Sequence, residues 1–336
     1  MKHIRIYLAI ILIAVLAAGM AGCTAAAGAG ATDLMDGIVP QSVPERQADS
    51  DFTAAMADFS INLFQESIAS DENSLISPLS VMLALAMTTN GADGETLAEL
   101  EALLGGGIPI ELLNEYLHSY VNGLPSHEDA MLHIANAIWF RDCETLEVVP
   151  AFLQTNADFY RAQIYSAAFD EQTVSDINGW VYANTDGMIE EIIEKITDEV
   201  LFLINAIAFD AEWAVLYNES DIREGEFTDI QGNTQTVAFM HATERRFIDD
   251  GMARGFIKPY AGGAYFFVAL LPNEDVSIET YIQSLTGAGF LEMLTNTQSV
   301  EVRASMPKFE FEFELCMIDA LRALGVQEAG VRRIRR

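Results

Sequence analysis

Positive charge is the scarcest property of this chain. Its 336 residues include 18 Lys and Arg against 50 Asp and Glu, a formal charge of −32. Nucleic acids and anionic lipid surfaces are bound through cationic faces, so this balance argues against both as partners and favours a soluble, mutually repelling surface. Catalytic signatures are missing too. There is no Gly-x-Ser-x-Gly elbow, no Walker loop and no His-Glu-x-x-His helix. The chain is therefore not read as an enzyme, and no catalytic residue is assigned. His118, His127 and His133 fall close together, but their spacing fits no metal-ligand pattern. Asn90-Gly91-Ala92-Asp93-Gly94-Glu95 has the outline of a calcium loop without its alternating acids or its terminal bidentate Glu, which leaves a turn. No metal and no cofactor are expected, and no internal repeat is present.

What is abundant is apolar surface. Hydrophobic residues make up 51% of the chain, ample for one large core. The first such run is N-terminal. Lys2, His3 and Arg5 precede the apolar stretch Ile6 to Leu16, and Ala17 to Gly22 form a small-residue exit before Cys23. That is the layout of a bacterial secretory signal over residues 1–22, too short for a permanent span, which needs about 20 apolar residues. Cys23 after Ala21-Gly22 resembles the acylated cysteine of bacterial lipoproteins, with simple cleavage or an uncleaved anchor as the alternatives. Residues 23–51 then read as a lipid-anchored flexible linker, Ala/Gly-rich with Pro40 and Pro44. A coil of that length reaches about 30 Å. The expected location is extracytoplasmic, lipid-anchored at the cell surface or secreted. Export permits a disulfide, but the spacing of Cys143 and Cys316 does not demand one, and both are read as separately buried thiols.

Periodicity gives the rest. Phe52, Met56, Phe59, Leu63 and Phe64 mark an amphipathic helix, and Ile110 to Val121 another. Met131 to Phe140 and Leu201 to Phe209 read as strands buried on both faces. Asn205 is the one polar residue of the second and needs hydrogen-bond partners there. Asp176 to Tyr182 is helical, Asp186-Gly187 turns, and Ile189 to Ile196 is short and amphipathic. Short strands follow at Thr236–Met240, Arg245–Ile248, Arg254–Tyr260 and Ala264–Leu271, with a hairpin at Gly262-Gly263. Val276 to Leu285 is helical. Val300 to Glu314 alternates Phe309, Phe311 and Phe313 with glutamates, one face buried and one wet, and Leu315 to Leu324 closes as a helix. Helices lead, strands follow, and no βαβ alternation appears. The class is α+β in one domain.

Residues 73–100, NSLISPLSVMLALAMTTNGADGETLAEL, carry the most specific local chemistry. Ser77 is a helix N-cap, Pro78 takes the first helical position, and Leu79 to Met87 is apolar nearly all round. Asn90-Gly91 is expected to stop this helix with a left-handed cap. A second helix starts after Gly94 with Glu95 in its first turn. This order of parts resembles the opening of the serpin family. ANAIWFRD (135–142), INGWVYANTDGMIEEII (177–193), LFLINAIAFDAEWAVLY (201–217), Phe256 to Tyr260, ALLPNE (269–274) and MPKFEFEFEL with LRALG match later family segments in order, although Met188 replaces the usual Lys. The resemblance implies a single serpin-like domain over residues 52–325, with N-terminal helices, a large mixed sheet and a smaller antiparallel sheet. It implies inhibition of serine or cysteine proteases through a bait loop that inserts, once cleaved, as a new strand. Ser77, Ser80 and Asn205 resemble the family's sheet-opening cluster. Residues 108–122 hold no Lys or Arg, so a heparin-like polyanion is not expected.

The end of the chain departs from the family. The strand beside the insertion gap, the hinge, the bait loop and a closing hairpin are not found, and four of the 18 basic residues, Arg332, Arg333, Arg335 and Arg336, crowd into the last six positions. Residues 326–336 are read as an aberrant basic tail on a domain whose late strands are missing. Leu201–Phe209 is then expected to be unpaired on one side, an invitation to aggregation. A non-inhibitory remnant with a binding or structural role at the cell surface is the alternative function.

Overall fold

The computed structural model describes residues 8–15, 30–68, 72–143, 146–311 and 317–326. The chain opens with β1 (Leu8–Val15) and the two-residue β2 (Thr32–Asp33). Helix α1 (Ser50–Ser67) begins where the Asp49 carboxylate accepts from the N–H groups of Asp51 and Phe52, donors that no helical carbonyl can reach. Its residues Phe52, Phe59 and Leu63 share a buried face. Helix α2 (Pro78–Thr89) is buried continuously from Ser80 to Met87, and Ser77 caps it as the sequence predicts.

The end of α2 differs from the expected left-handed cap. Asn90 stays right-handed at φ −62°, and its amide donates to the Ala86 carbonyl while accepting from Asn114. Gly91 is there for space, since a Cβ would stand 3.2 Å from the Phe152 ring. Helices α3 (Gly94–Gly105) and α4 (Ile110–Gly123) follow.

Strand β3 (Ala130–Arg141), helix α5 (Pro150–Tyr160), strand β4 (Gln163–Ala167), helix α6 (Glu171–Asn184) and strand β5 (Leu201–Ala211) come next. The large sheet has the order β1-β5-β3-β4-β2, mixed because β3 and β4 run parallel and the other pairs antiparallel. Its central strands are covered twice. Leu203 and Ile138 face the core built by α1, α2 and α4, while Trp139, Phe202 and Ile204 face α6 through Trp180 and Ile177. Two-sided burial is why Leu201 to Phe209 of β5 reads as an apolar run interrupted only by Asn205. Ile189 to Ile196 is irregular rather than helical. Asn178 holds it instead, accepting from the N–H of Ile192 and donating to the Ile193 carbonyl.

Residues 30–49, expected to be free coil, lie against this body. Leu34 N–H donates to the Ile164 carbonyl at 2.8 Å, Gln41 N–H to Asp158 at 2.7 Å, and Arg46 pairs with Glu115 at 2.8 Å. Leu34 and Met35 pack on the main core. Composition concealed this, because scattered contacts between a loop and a body leave no period. Residues 23–29, and Cys23 with them, lie outside the described residues. Cys143, expected as a free thiol, is disulfide-bonded. Its partner is outside the described residues, as is Cys316.

Asp49 locks the junction between this segment and α1. Its pKa is lowered, first by the Phe52 N–H, then by the Tyr116 hydroxyl, which donates to the same carboxylate. A carboxylate with a depressed folded pKa stabilises above its unfolded value of about 4 and loses that contribution as pH falls through the folded value. Asp49→Asn should therefore lower the urea midpoint by more at about pH 6 than near about pH 3. An equal gap at both pH values would remove the charge from the explanation.

The second sheet uses β6 (Ile222–Thr228), β7 (Thr234–Asp249), β8 (Ala253–Pro259) and β9 (Phe266–Pro272). Helices α7 (Ile278–Ser284) and α8 (Gly287–Thr295), strand β10 (Gln298–Pro307) and helix α9 (Ile318–Ala323) complete the described chain. The sheet order is β10-β7-β8-β9 with β6 on β7, all antiparallel. The two strands expected over 236–248 are one strand, because pairing with β10 carries the ladder through His241 to Glu244. The strand expected to run to Glu314 stops at Pro307, and Phe309 is exposed rather than buried. Phe313 lies outside the described residues, as do 327–336 of the basic tail.

Candidate functional site

The large sheet carries the same tripeptide twice. Asn136-Ala137-Ile138 on β3 and Asn205-Ala206-Ile207 on β5 run antiparallel, with Asn136 directly opposite Asn205. Asn205 Nδ2 donates to Asn136 Oδ1 at 2.7 Å, and Asn136 Nδ2 donates to the Tyr160 carbonyl at 2.9 Å. Both side chains are buried, and Asn205 Oδ1 accepts no hydrogen bond among the described residues. A buried acceptor left unmatched costs about 1–3 kcal/mol. The centre of the sheet thus holds a polar pair that is only partly satisfied, at the point where two apolar strands adhere.

Ser77 and Ser80 form a second pair at the start of α2. Ser80 N–H and Ser80 Oγ both reach Ser77 Oγ, at 3.3 Å and 3.0 Å, and Ser80 is fully buried. The structure brings the two serines together and places Asn205 with Asn136. Among the described residues no hydrogen bond joins the two pairs. Sequence reasoning found Asn205 and missed Asn136. The signal was present in the repeated Asn-Ala-Ile, but only the register shows that the two copies face each other.

The far edge of β5 is occupied. Leu8 to Val15 lies antiparallel to Phe209 to Phe202, with Leu12 opposite Asn205. The expectation of a bare β5 edge is therefore corrected. The run read in sequence as the heart of an export signal completes the ladder there, which removes the cost of leaving a row of apolar-strand N–H and C=O groups unpaired.

Just beyond β5, Trp213 stacks on Tyr260 at 4.5 Å between ring centroids. Beside them Lys258 Nζ lies 2.7 Å from Glu244 Oε1, with side-chain exposures of only 3% and 9%. The same ammonium sits 5.4 Å from the Trp213 ring and 4.7 Å from the Tyr217 ring. Burial, then the charge of Glu244, pushes the Tyr217 hydroxyl up to about 12. The three histidines make separate contacts: His118 with the Phe159 carbonyl, His133 with Asp186, and His127 through a backbone exchange with Ala130.

These sheets and their order meet a single family model, Serpin (serine protease inhibitor), over residues 54–329. The chain belongs to the serpin family. Its fold is that of solved serpins. The thermophilic serpin tengpin in its native state matches with a TM-score of 0.87 at 49% identity, covering 89% of this chain and 77% of that one. Tengpin in the latent state matches with a TM-score of 0.81 at 50% identity, over 84% and 78% of the two chains. Among curated relatives, the uncharacterized serpin-like protein TK1782 of Thermococcus kodakarensis is 27% identical over 82% of this chain. The leukocyte elastase inhibitor of Equus caballus is 28% identical over 82% of this chain and 77% of its own length. This serpin spans 65% of the length of TK1782. Serpins are generally protease inhibitors rather than enzymes.

Proposed function

We propose that this serpin acts outside the cytoplasm as an inhibitor of serine or cysteine proteases, held at the cell surface by a lipid on Cys23. One observation carries the reading: the edge of β5 accepts an antiparallel strand from Phe202 to Phe209, directly beside the buried Asn136–Asn205 pair. An inserted strand in a serpin must pair with such an edge, and serpin loop insertion is a known release of stored strain. In the exported chain, loss of residues 1–22 would remove β1 and free the edge. Tengpin, at 49–50% identity, has been solved both native and latent, which supports a scaffold able to hold more than one sheet arrangement. Ser77, Ser80 and Asn205 then serve strand separation: short hydroxyls and an amide exchange partners at low cost when strands part.

The protease supplies the catalysis. Its nucleophile would be acylated by a bait loop, which the sequence of residues 1–336 does not show, and carried off with the inserting strand, so no residue of this chain acts on a bond. The absence of Lys and Arg over residues 108–122 argues against activation by a polyanion, and the −32 charge argues against nucleic acid as a partner. The test is an incubation with excess trypsin-like or subtilisin-like protease, followed by denaturing electrophoresis. The inhibitor reading expects a covalent band at the summed mass of the two proteins from a form that carries the bait loop. Cleavage of the chain with no such band would end the inhibitor reading and leave the non-inhibitory surface role.

A further inference from the structure

A cavity of about 240 Å³ opens where α2, α4, β3, the end of α5, β4 and α6 meet. Its composition is unlike that of the rest of the molecule. No Asp or Glu lines it, in a chain that has 50, while Arg161 and His118 both do. Leu117, Phe159 and Trp180 supply apolar and aromatic wall.

Arg161 and Gln163 are set as donors. Arg161 ends α5 in the left-handed conformation, φ 49°, which turns the chain from the helix into β4 and puts this residue at the rim. Its guanidinium makes no ion pair among the described residues. Gln163 Oε1 accepts from the Trp180 indole N–H at 2.7 Å and from the Tyr165 hydroxyl at 2.6 Å. With its oxygen doubly engaged, the Gln163 amide has its N–H₂ left to give. His118 Nδ1 lies 3.0 Å from the Phe159 carbonyl, which can only accept. Nδ1 therefore carries the proton, which leaves Nε2 of the neutral ring as an acceptor that takes no part in holding an anion.

We propose that this cavity binds a small organic carboxylate with an aromatic or short apolar body. The carboxylate takes the Arg161 fork and the Gln163 amide, a charge-assisted pairing suited to planar anions. The body lies against Trp180, Phe159 and Leu117. The volume is below the range of about 300–1,000 Å³ typical of drug-sized ligands, which limits the body to about one ring. A cation would meet Arg161 with no acid to hold it, and a neutral apolar molecule would leave the guanidinium and amide unmatched.

The probe is phenylacetate, titrated into the full chain by calorimetry and by tryptophan fluorescence, with phenylacetamide as its uncharged counterpart. Saturable one-to-one binding is expected, weaker for phenylacetamide by about tenfold or more. Arg161→Gln should cost the carboxylate a similar factor, Arg161→Lys should restore part of it, and Trp180→Phe should abolish the fluorescence response. Arg161 is exposed, and Gln tolerates the same backbone no worse. Should that variant still fail to fold, the comparison of the two probes on the unsubstituted chain decides alone. Equal affinity for both probes, absence of saturable binding, or a folded Arg161→Gln chain with unchanged affinity would each overturn the proposal.

Discussion

Lys258→Met is expected to destabilise the protein by about 3–5 kcal/mol, and adding Glu244→Leu is expected to return most of that loss. The asymmetry follows from burial. Lys258 and Glu244 are almost fully enclosed, and their charged atoms are 2.7 Å apart. Each charge is tolerable in that place only because the other is present. Removing the lysine leaves a carboxylate with neither water nor counter-charge, a penalty far larger than the loss of one hydrogen bond. Removing both charges deletes the problem with the interaction. The double variant still forfeits the contact of the ammonium with the Trp213 and Tyr217 rings, worth about 0.5–2 kcal/mol. Recovery should accordingly be incomplete. Equilibrium urea unfolding of the two single variants and the double variant closes the cycle. If Lys258→Met stayed within about 1 kcal/mol of the unsubstituted chain, the pair would be a weak surface-like contact. The site matters because β7 and β8 supply the pair while Trp213, just after β5, covers it. The pair fastens the second sheet to the end of the strand along which insertion would run.

Much of this architecture was legible locally, and what was not has common physical causes. The Ser77 cap, Pro78 and the all-round apolar run of α2 require nothing beyond their own neighbours. The two-sided burial of Leu201 to Phe209 in β5, and of Asn136 to Trp139 in β3, shows directly as apolar sequence with a single Asn in each. Strand β6 gave no such signal, because its sequence IREGEFT is mostly exposed and lies at a sheet edge. Helix α8 was hidden by Gly287 and Gly289 in its first turn. The structure shows why Gly287 is there: a Cβ would fall 2.3 Å from Asp58 Oδ1 and 2.5 Å from Asp58 N, where α8 presses on α1. A residue chosen for distant contact spoils local propensity. The same logic governs the candidate site. Asn205 stood out as a polar residue in an apolar strand. Its partner depends on register between strands 69 residues apart, which no local window contains. The cavity lined by Arg161 gathers residues from six elements and had no sequence signature, except in hindsight the absence of acids.

Leu12→Pro combined with Ile13→Pro is expected to make the full chain, expressed with residues 1–22 retained, self-associate in proportion to its concentration. Consecutive residues of a strand point their N–H groups to opposite edges, so whichever parity faces β5, one of the two prolines removes a ladder bond and breaks β1. What is uncovered is unusual for an edge. In β5 every residue from Leu201 to Ala208 is buried, and β3 already satisfies the opposite side of its backbone. An apolar strand with one free row of donors and acceptors is a template for another strand, and the nearest supply is a second copy. The acidic surface opposes approach, so the effect should grow with salt as the repulsion is screened. Sedimentation velocity over about 1–100 μM should show larger species for the variant than for the unsubstituted chain. Identical sedimentation at every concentration, with the circular dichroism of a folded chain, would mean that β1 does not guard this edge. The expected outcome has a functional side. An edge that recruits a foreign strand once β1 is broken is an edge competent to take an inserting one, and its two possible occupants compete. A strand supplied after cleavage inhibits a protease, whereas a strand supplied by a neighbour links two copies of the chain.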